Sequence, residues 1–96
     1  MKIRLLDLAV QDIERGRRFY DLQLPGLGGQ FAKQLLADIE ALLIHAGVHQ
    51  QHFGYCRALS KRFPYAIYYR VDGDDIQVWR VLDCRANPSS LAEALN

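Results

Sequence analysis

Apolar and polar positions change their spacing along this 96-residue chain, from a short extended opening to a helical repeat and then to dense apolar runs. Lys2 to Leu6 is short and β-rich and predicts an edge strand. From Leu8 the repeat lengthens. Ala9, Ile13, Gly16 and Tyr20 recur at helical spacing with Phe19 beside them, while Asp12, Glu14, Arg15, Arg18 and Asp21 fill the remaining surface, the signature of an amphipathic helix. Pro25-Gly26 breaks it. Leu27, Phe31, Leu35, Ile39 and Leu42 then form a second stripe, which Leu36 and Leu43 widen, and Gly47 just past His45 is placed to stop the helix. Two such helices joined by a tight turn make an αα-hairpin, whose stripes need a surface to cover.

The remaining sequence supplies that surface. His52 to Ser60 reads as a strand with Phe53, Tyr55 and Leu59 on the same face as Arg57. Phe63-Pro64 marks a bend, because proline cannot donate within a central ladder. Tyr65 to Val71 and Ile76 to Asp83 flank the turn Asp72-Gly73-Asp74-Asp75, and Asp-Gly between apolar runs is a strong hairpin signal. Alternation puts Tyr65, Ile67, Tyr69 and Val71 on one face and Tyr68 with Arg70 on the other, and sets Trp79 and Val81 opposite Val78 and Leu82. Asn87-Pro88 ends the last strand, and Ser89 or Ser90 is placed to cap a short helix through Leu95. The expected fold is α+β, a single domain over residues 1–96: an N-terminal strand and αα-hairpin packed on a mainly antiparallel sheet, with a three-stranded C-terminal meander and a short final helix.

The hairpin is largely apolar on both faces, yet Arg70, Arg80 and Arg85 are threaded through it, whereas a half-buried strand alternates apolar and polar. Helices on one side cannot cover both faces, so the second face awaits a partner. Tyr, Trp and Arg dominate protein-binding hot spots.

Composition narrows the classes. Half the residues are hydrophobic, which fits a globular chain, and a net charge of +1 gives no bulk attraction to nucleic acid. Nine of the twelve basic residues are arginine, the side chain suited to planar recognition of carboxylate or phosphate. Arg57, Lys61, Arg62 and Arg70 form a basic strip with no acid between them. The N-terminus carries charges too early for a signal peptide, and the longest aliphatic run, Ala41 to Ile44, is far short of a membrane span. A cytoplasmic protein with no membrane partner is expected. Cys56 and Cys84 have no metal-finger spacing and read as reduced, small, near-core residues.

Three groups are candidates for chemistry. His45, His49 and His52 would share a face on a continuous helix. Gly47 interrupts that helix and no HExxH-type acid accompanies them, so they read as loop histidines, with no metal and no cofactor expected. Arg57, Lys61, Arg62 and Arg85 would converge on one edge of the sheet if the last strands form a meander, as phosphate binding or an acidic partner requires; solvated edge charges are the alternative. Asp83 shares a face with Arg85 and is either a local ion pair or a general base beside bound phosphate. Gly26-Leu27-Gly28-Gly29 has neither the leading strand nor the Lys-Ser/Thr of a phosphate loop, and close helix packing explains it better.

Several short runs occur in a distinctive order: Phe19-Tyr20, Pro25 to Gly28, Phe31, Leu35 and Asp38-Ile39, then Arg57 before Phe63-Pro64-Tyr65, then Tyr68 to Val71, and finally Val81 to Arg85 with Pro88. This ordered set, over nearly the whole chain, resembles the RelE/ParE superfamily of toxins from bacterial type II toxin–antitoxin modules. The resemblance implies a compact, plasmid-stabilising toxin that arrests growth and is neutralised by a cognate antitoxin. It gives the uncovered sheet face an occupant, a disordered antitoxin tail that folds along it, with Tyr65, Tyr68, Arg70, Trp79 and Arg80 as the residues it meets.

The superfamily divides by target. RelE-like members cleave mRNA on the ribosome with basic residues on the central strands and often a tyrosine near the C-terminus. Arg57 and Arg85 sit at positions that resemble two of those basic residues, Lys61 and Arg62 would supply further phosphate contacts, and Asp83 is a candidate catalytic group only under this RNase reading. Two parts are missing. Ala66 stands where those members often place an arginine, and the last tyrosine is Tyr69, with Asn87-Pro88-Ser89-Ser90 in the C-terminal segment. ParE-like members poison DNA gyrase by binding, and the chain fits that branch, or an unassigned one, somewhat better. A binding module on the same fold without toxicity is the third reading, since fold does not fix function.

Overall fold

The computed structural model describes all 96 residues. β1 (Lys2–Leu5) leads into α1 (Asp7–Gln23), α2 (Leu27–Glu40) and the single turn α3 (Leu42–His45); β2 (Gln51–His52), β3 (Tyr55–Leu59), β4 (Tyr65–Asp72) and β5 (Asp75–Asp83) follow, and α4 (Pro88–Leu95) ends the chain. The five strands form one sheet in the order β1-β5-β4-β3-β2. β1 pairs parallel with β5 and the other pairings are antiparallel. The expected α+β arrangement stands, with β1 at the edge.

The helical hairpin is held by two glycines. Gly26, at φ 90°, provides the left-handed residue that turns the chain into α2. A Cβ at Gly28 would collide with the Arg17 carbonyl, and the Gly28 amide donates to Asp21 Oδ1 at 2.7 Å. Asp21 on α1 thereby satisfies a free N–H at the start of α2. Close packing thus explains Gly28 and backbone geometry Gly26, whereas a Cβ at Gly29 would meet open space.

The hairpin's stripes cover one face of the sheet. Ala9, Ile13, Phe31, Leu35, Ile39 and Leu42 pack against Ala58, Tyr65, Ile67, Tyr69, Ile76, Val78 and Val81. Rings of Tyr20, Phe31, Phe63 and Tyr65 interlock with centroids 4.8–6.2 Å apart, the offset geometry that aromatic quadrupoles favour. The smaller second cluster, Tyr55, Ala66, Tyr68 and Leu95 with Trp79, Leu82 and Cys84, lies on the opposite face under α4.

Four local expectations are corrected. The second helix ends at Glu40 and a separate turn carries Leu42; Leu36 and Leu43 are exposed and do not widen the buried stripe. The strand expected from His52 to Ser60 is a tight hairpin: Phe53 and Gly54 both have positive φ, 57° and 82°, the mirror-image turn geometry that suits sheet twist. Phe53 is therefore an exposed turn residue. Strict alternation fails in β5, where Arg80 faces Tyr68 but Val78 faces Tyr69. The extra residue, Trp79, forms a bulge, so Val78 and Val81 both enter the main core while Trp79 and Leu82 join the second cluster. Finally, the cap of α4 is Asn87, whose side chain accepts from the Ser90 amide at 2.8 Å; Pro88 takes the first helical position, where its missing N–H costs nothing.

Candidate functional site

The second face of the sheet carries most of the residues that stood out in the sequence. Register aligns Arg57, Tyr68 and Arg80 across β3, β4 and β5. Tyr68 is buried beneath α4, and burial pushes its phenol up while the Arg57 guanidinium pulls it back. Arg57 Nη2 also points to Cys84 Sγ at 3.9 Å. Arg80 turns to the sheet edge. Its Nε and Nη2 donate to both carboxylate oxygens of Asp12 on α1, and its Nη1 donates to Ala94 O near the end of α4.

Beside α4 the face is open. Arg70 lies over the Tyr55 ring at 4.1 Å and near the Trp79 ring at 5.6 Å, with Nε donating to Gly54 O at 3.3 Å. Tyr55 and Trp79 are themselves in tilted contact at 5.8 Å. The three make a cationic–aromatic platform whose two rings are inclined at 58°. Trp79 Nε1 is the one buried side-chain nitrogen or oxygen without a hydrogen-bond partner, and such a donor costs about 1–3 kcal/mol until something accepts from it.

The expected arginine cluster is divided. Cys84 N donates to Pro64 O and Ser60 N to Tyr65 O, so Lys61, Arg62 and Arg85 do share one end of the sheet. They do not converge. Asp83 pairs in register with Tyr65 on the helix side, whereas Arg57 lies with Cys84 and Tyr68 on the α4 side. Arg85 is committed: its Nε and Nη2 hold Asp83 at 3.0 and 2.8 Å, and its backbone N donates to the same carboxylate. The hydrogen bonds from Arg85 hold Asp83 below the usual carboxylate range, which makes it a weak base. The ion-pair reading of these neighbours is the one the geometry favours.

Tyr65 lies on the helix-covered face with its ring against Phe31. Burial, with the nearby Asp83 charge, pushes its phenol up to about 12. Of the residues expected to meet a partner, Tyr65 is a core residue, Tyr68 and Arg80 are held under or beside α4, and Arg70 and Trp79 lie in the open part of the face. The histidines do not gather, and no three His, Cys, Asp or Glu side chains stand in metal-binding geometry. His49 Nδ1 instead lies 2.6 Å from the buried Tyr69 hydroxyl, which also accepts from Gly47 N.

Two participants were missed in the sequence. Asp12 was read as surface charge, but its 3% exposed side chain accepts from Arg80 and from Val81 N at 2.9 Å. Its spacing from Ala9, Ile13 and Gly16, on the buried side of α1, was the available signal. Tyr55 supplies the ring beneath Arg70, and nothing in the sequence paired those two before the Phe53-Gly54 turn fixed the register.

The profile described as ParE toxin of type II toxin–antitoxin system, parDE, matches residues 3–88. The chain belongs to this ParE toxin family. A chain of the chromosomal ParDE toxin–antitoxin system from P. aeruginosa has the same fold, with a TM-score of 0.75 at 19% identity over 84% of this chain and 92% of that one. No curated protein matches the chain significantly. The ParE match covers the platform, the Asp12–Arg80 pair and Arg85 and reaches the first residue of α4. No helix is long and apolar enough to cross a membrane.

Proposed function

We propose that this ParE-family toxin arrests growth by binding DNA gyrase in the cytoplasm, with no bond-breaking chemistry of its own, and that a cognate antitoxin neutralises it on the open platform of the second sheet face. The observation that carries the first half is the separation of Arg57 and Arg85 onto opposite faces of the sheet. An RNA-cleaving site needs cations and a base around one phosphate. Here the nearest acid, Asp83, is already spent on Arg85, and Ala66 is fully buried where an arginine would have to point.

The antitoxin half is supported by the unpaired Trp79 Nε1 and the exposed Arg70 beside it. A segment carrying a backbone carbonyl or carboxylate would pair with the exposed Arg70, and the buried Trp79 Nε1 would gain an acceptor once the indole turns outward on docking. Inducing the protein and scoring DNA breaks with an SOS response against cleaved transcripts tests the target. Breaks without cleavage are expected; cleavage without breaks overturns the gyrase reading in favour of ribosome-dependent mRNA cleavage, and neither with unimpaired growth favours a non-toxic binding module. Trp79 is the chain's only tryptophan, so its emission reports antitoxin docking directly.

A further inference from the structure

A second surface lies away from the platform, where the loop between β3 and β4 meets the outer side of α2. Gln30, Lys33, Gln34, Ala37 and Arg62 line a shallow groove of about 310 Å³. Lys33, Lys61 and Arg62 are exposed, and none of the three is in an ion pair. The loop is nevertheless held in place. Asp38 on α2 accepts from Ser60 Oγ at 2.6 Å, from Lys61 N at 3.3 Å and from Gln34 Nε2 at 2.9 Å, so this buried acid has both oxygens occupied. Arg62 is aimed by two contacts, its guanidinium over the Phe63 ring at 5.6 Å and Nη2 donating to Gln30 Oε1 at 3.5 Å.

We propose that Lys33 and Arg62 form a contact for the phosphodiester backbone of duplex DNA. Three features of the groove favour that occupant. Its lining is one alanine among amides and cations, so it lacks the apolar anchor on which a protein partner's affinity rests. Amide and guanidinium donors beside unpaired cations are the set that reads phosphate oxygens without reading bases. The nearest ring, Phe63, is already packed against Tyr20, Phe31 and Arg62, which leaves no open platform for the base stacking that single strands use. The contact would hold the toxin against DNA in any complex that presents a duplex, and it does not depend on the identity of the protein target.

The test uses the full chain and a dye-labelled duplex of about twenty base pairs, followed by anisotropy over a salt series. Two phosphate contacts give a slope of about −1.8 in log K against log salt, which is a loss of about 12-fold between 50 and 200 mM. Lys33→Gln with Arg62→Gln should reduce the slope by about 1.8. Ala37→Lys, in the same groove, should steepen it by about 0.9 and needs no loss of fold to be read. Arg4→Gln, in the pair with Asp75 on the β1–β5 edge, should leave the slope unchanged. Equal slopes for the wild type and the groove variants overturn the proposal. So does tighter binding of poly-glutamate, which would make this an acidic-peptide site, or of single-stranded RNA.

Discussion

Arg80 and Asp12 meet as a bidentate pair across the outer edge of β5, Nε to Oδ2 at 2.7 Å and Nη2 to Oδ1 at 2.9 Å, although 68 positions separate them in the chain. The pair lies just past the stretch of β5 covered by β1, whose register stops at Val78. Asp12 also takes the Val81 N–H that β1 leaves unpaired, and Arg80 carries the connection on to α4 through Ala94 O. One carboxylate and one guanidinium thus tie α1, β5 and α4 together.

Removing Arg80 leaves the buried Asp12 with the Val81 N–H and the exposed Arg15 at 3.4 Å as its remaining partners. Arg80→Ala is expected to cost about 3–5 kcal/mol in urea unfolding. A double-mutant cycle with Asp12→Ala should show a coupling of about 2 kcal/mol; additive losses would mean that the two side chains act independently.

The helical hairpin should resist any side chain at its crossing points. A Cβ at Gly16 would sit 2.5 Å from the Phe31 ring, and one at Gly28 would strike the Arg17 backbone carbonyl. Gly16→Ala is expected to cost about 1–3 kcal/mol, and Gly28→Ala more, because a ring can tilt whereas a helix backbone must shift. Thermal melts of the two variants check the order.

Acid stability should carry the mark of Asp83. Arg85 depresses its folded pKa below the unfolded value near 3.9. Its contribution is therefore complete above that value and is lost as pH falls through the depressed one. In Arg85→Ala the Asp83 carboxyl should titrate closer to the ordinary range, seen by NMR, and the acid limb of the stability curve should become shallower, because Asp83 then binds protons equally in the folded and unfolded chains. An unchanged Asp83 titration would show that the pair does not persist in solution.

At the alkaline end the sign reverses. The Tyr65 phenol is pushed up to about 12 by burial, above the unfolded value near 10. Stability it confers is intact below about pH 10 and drains away as pH rises toward 12, because the unfolded chain ionises first. Tyr65→Phe should flatten the fall in melting temperature across that window. Tyr20, Tyr68 and Tyr69 are raised as well, so some slope should remain.

If the arginines expected to hold RNA have no such role, their loss should spare toxicity. Arg57→Gln is expected to keep the fold, with a melting temperature near that of the wild type, and to keep growth arrest. Loss of toxicity in a folded Arg57→Gln protein would return Arg57 to the functional surface.

The two long helices, the β4–β5 hairpin and the α+β order were legible because each rests on local periodicity or on a turn residue with one structural use, such as Gly26 or Gly73. The split of the strand at Phe53-Gly54 was not, since a positive φ at phenylalanine is a tertiary outcome that no propensity encodes. The Trp79 bulge escaped for a related reason. One extra residue in a strand reverses the face of everything beyond it, and alternation read from the sequence cannot locate the slip. The candidate site failed most where it depended on convergence: the arginines reached the same end of the sheet, but the pleat sent them to different sides.

The lock between the first strand and the last also orders events in time. β1 and Asp12 leave the ribosome about 70 residues ahead of their partners at residues 75–81. At about 5–20 residues per second, the helical hairpin waits for seconds with its apolar stripe bare and the Asp12 carboxylate unanswered. The finished surface therefore comes into being only once residues 75–81 have emerged. A cell that translates the antitoxin first has those seconds in which to have the neutralising partner waiting.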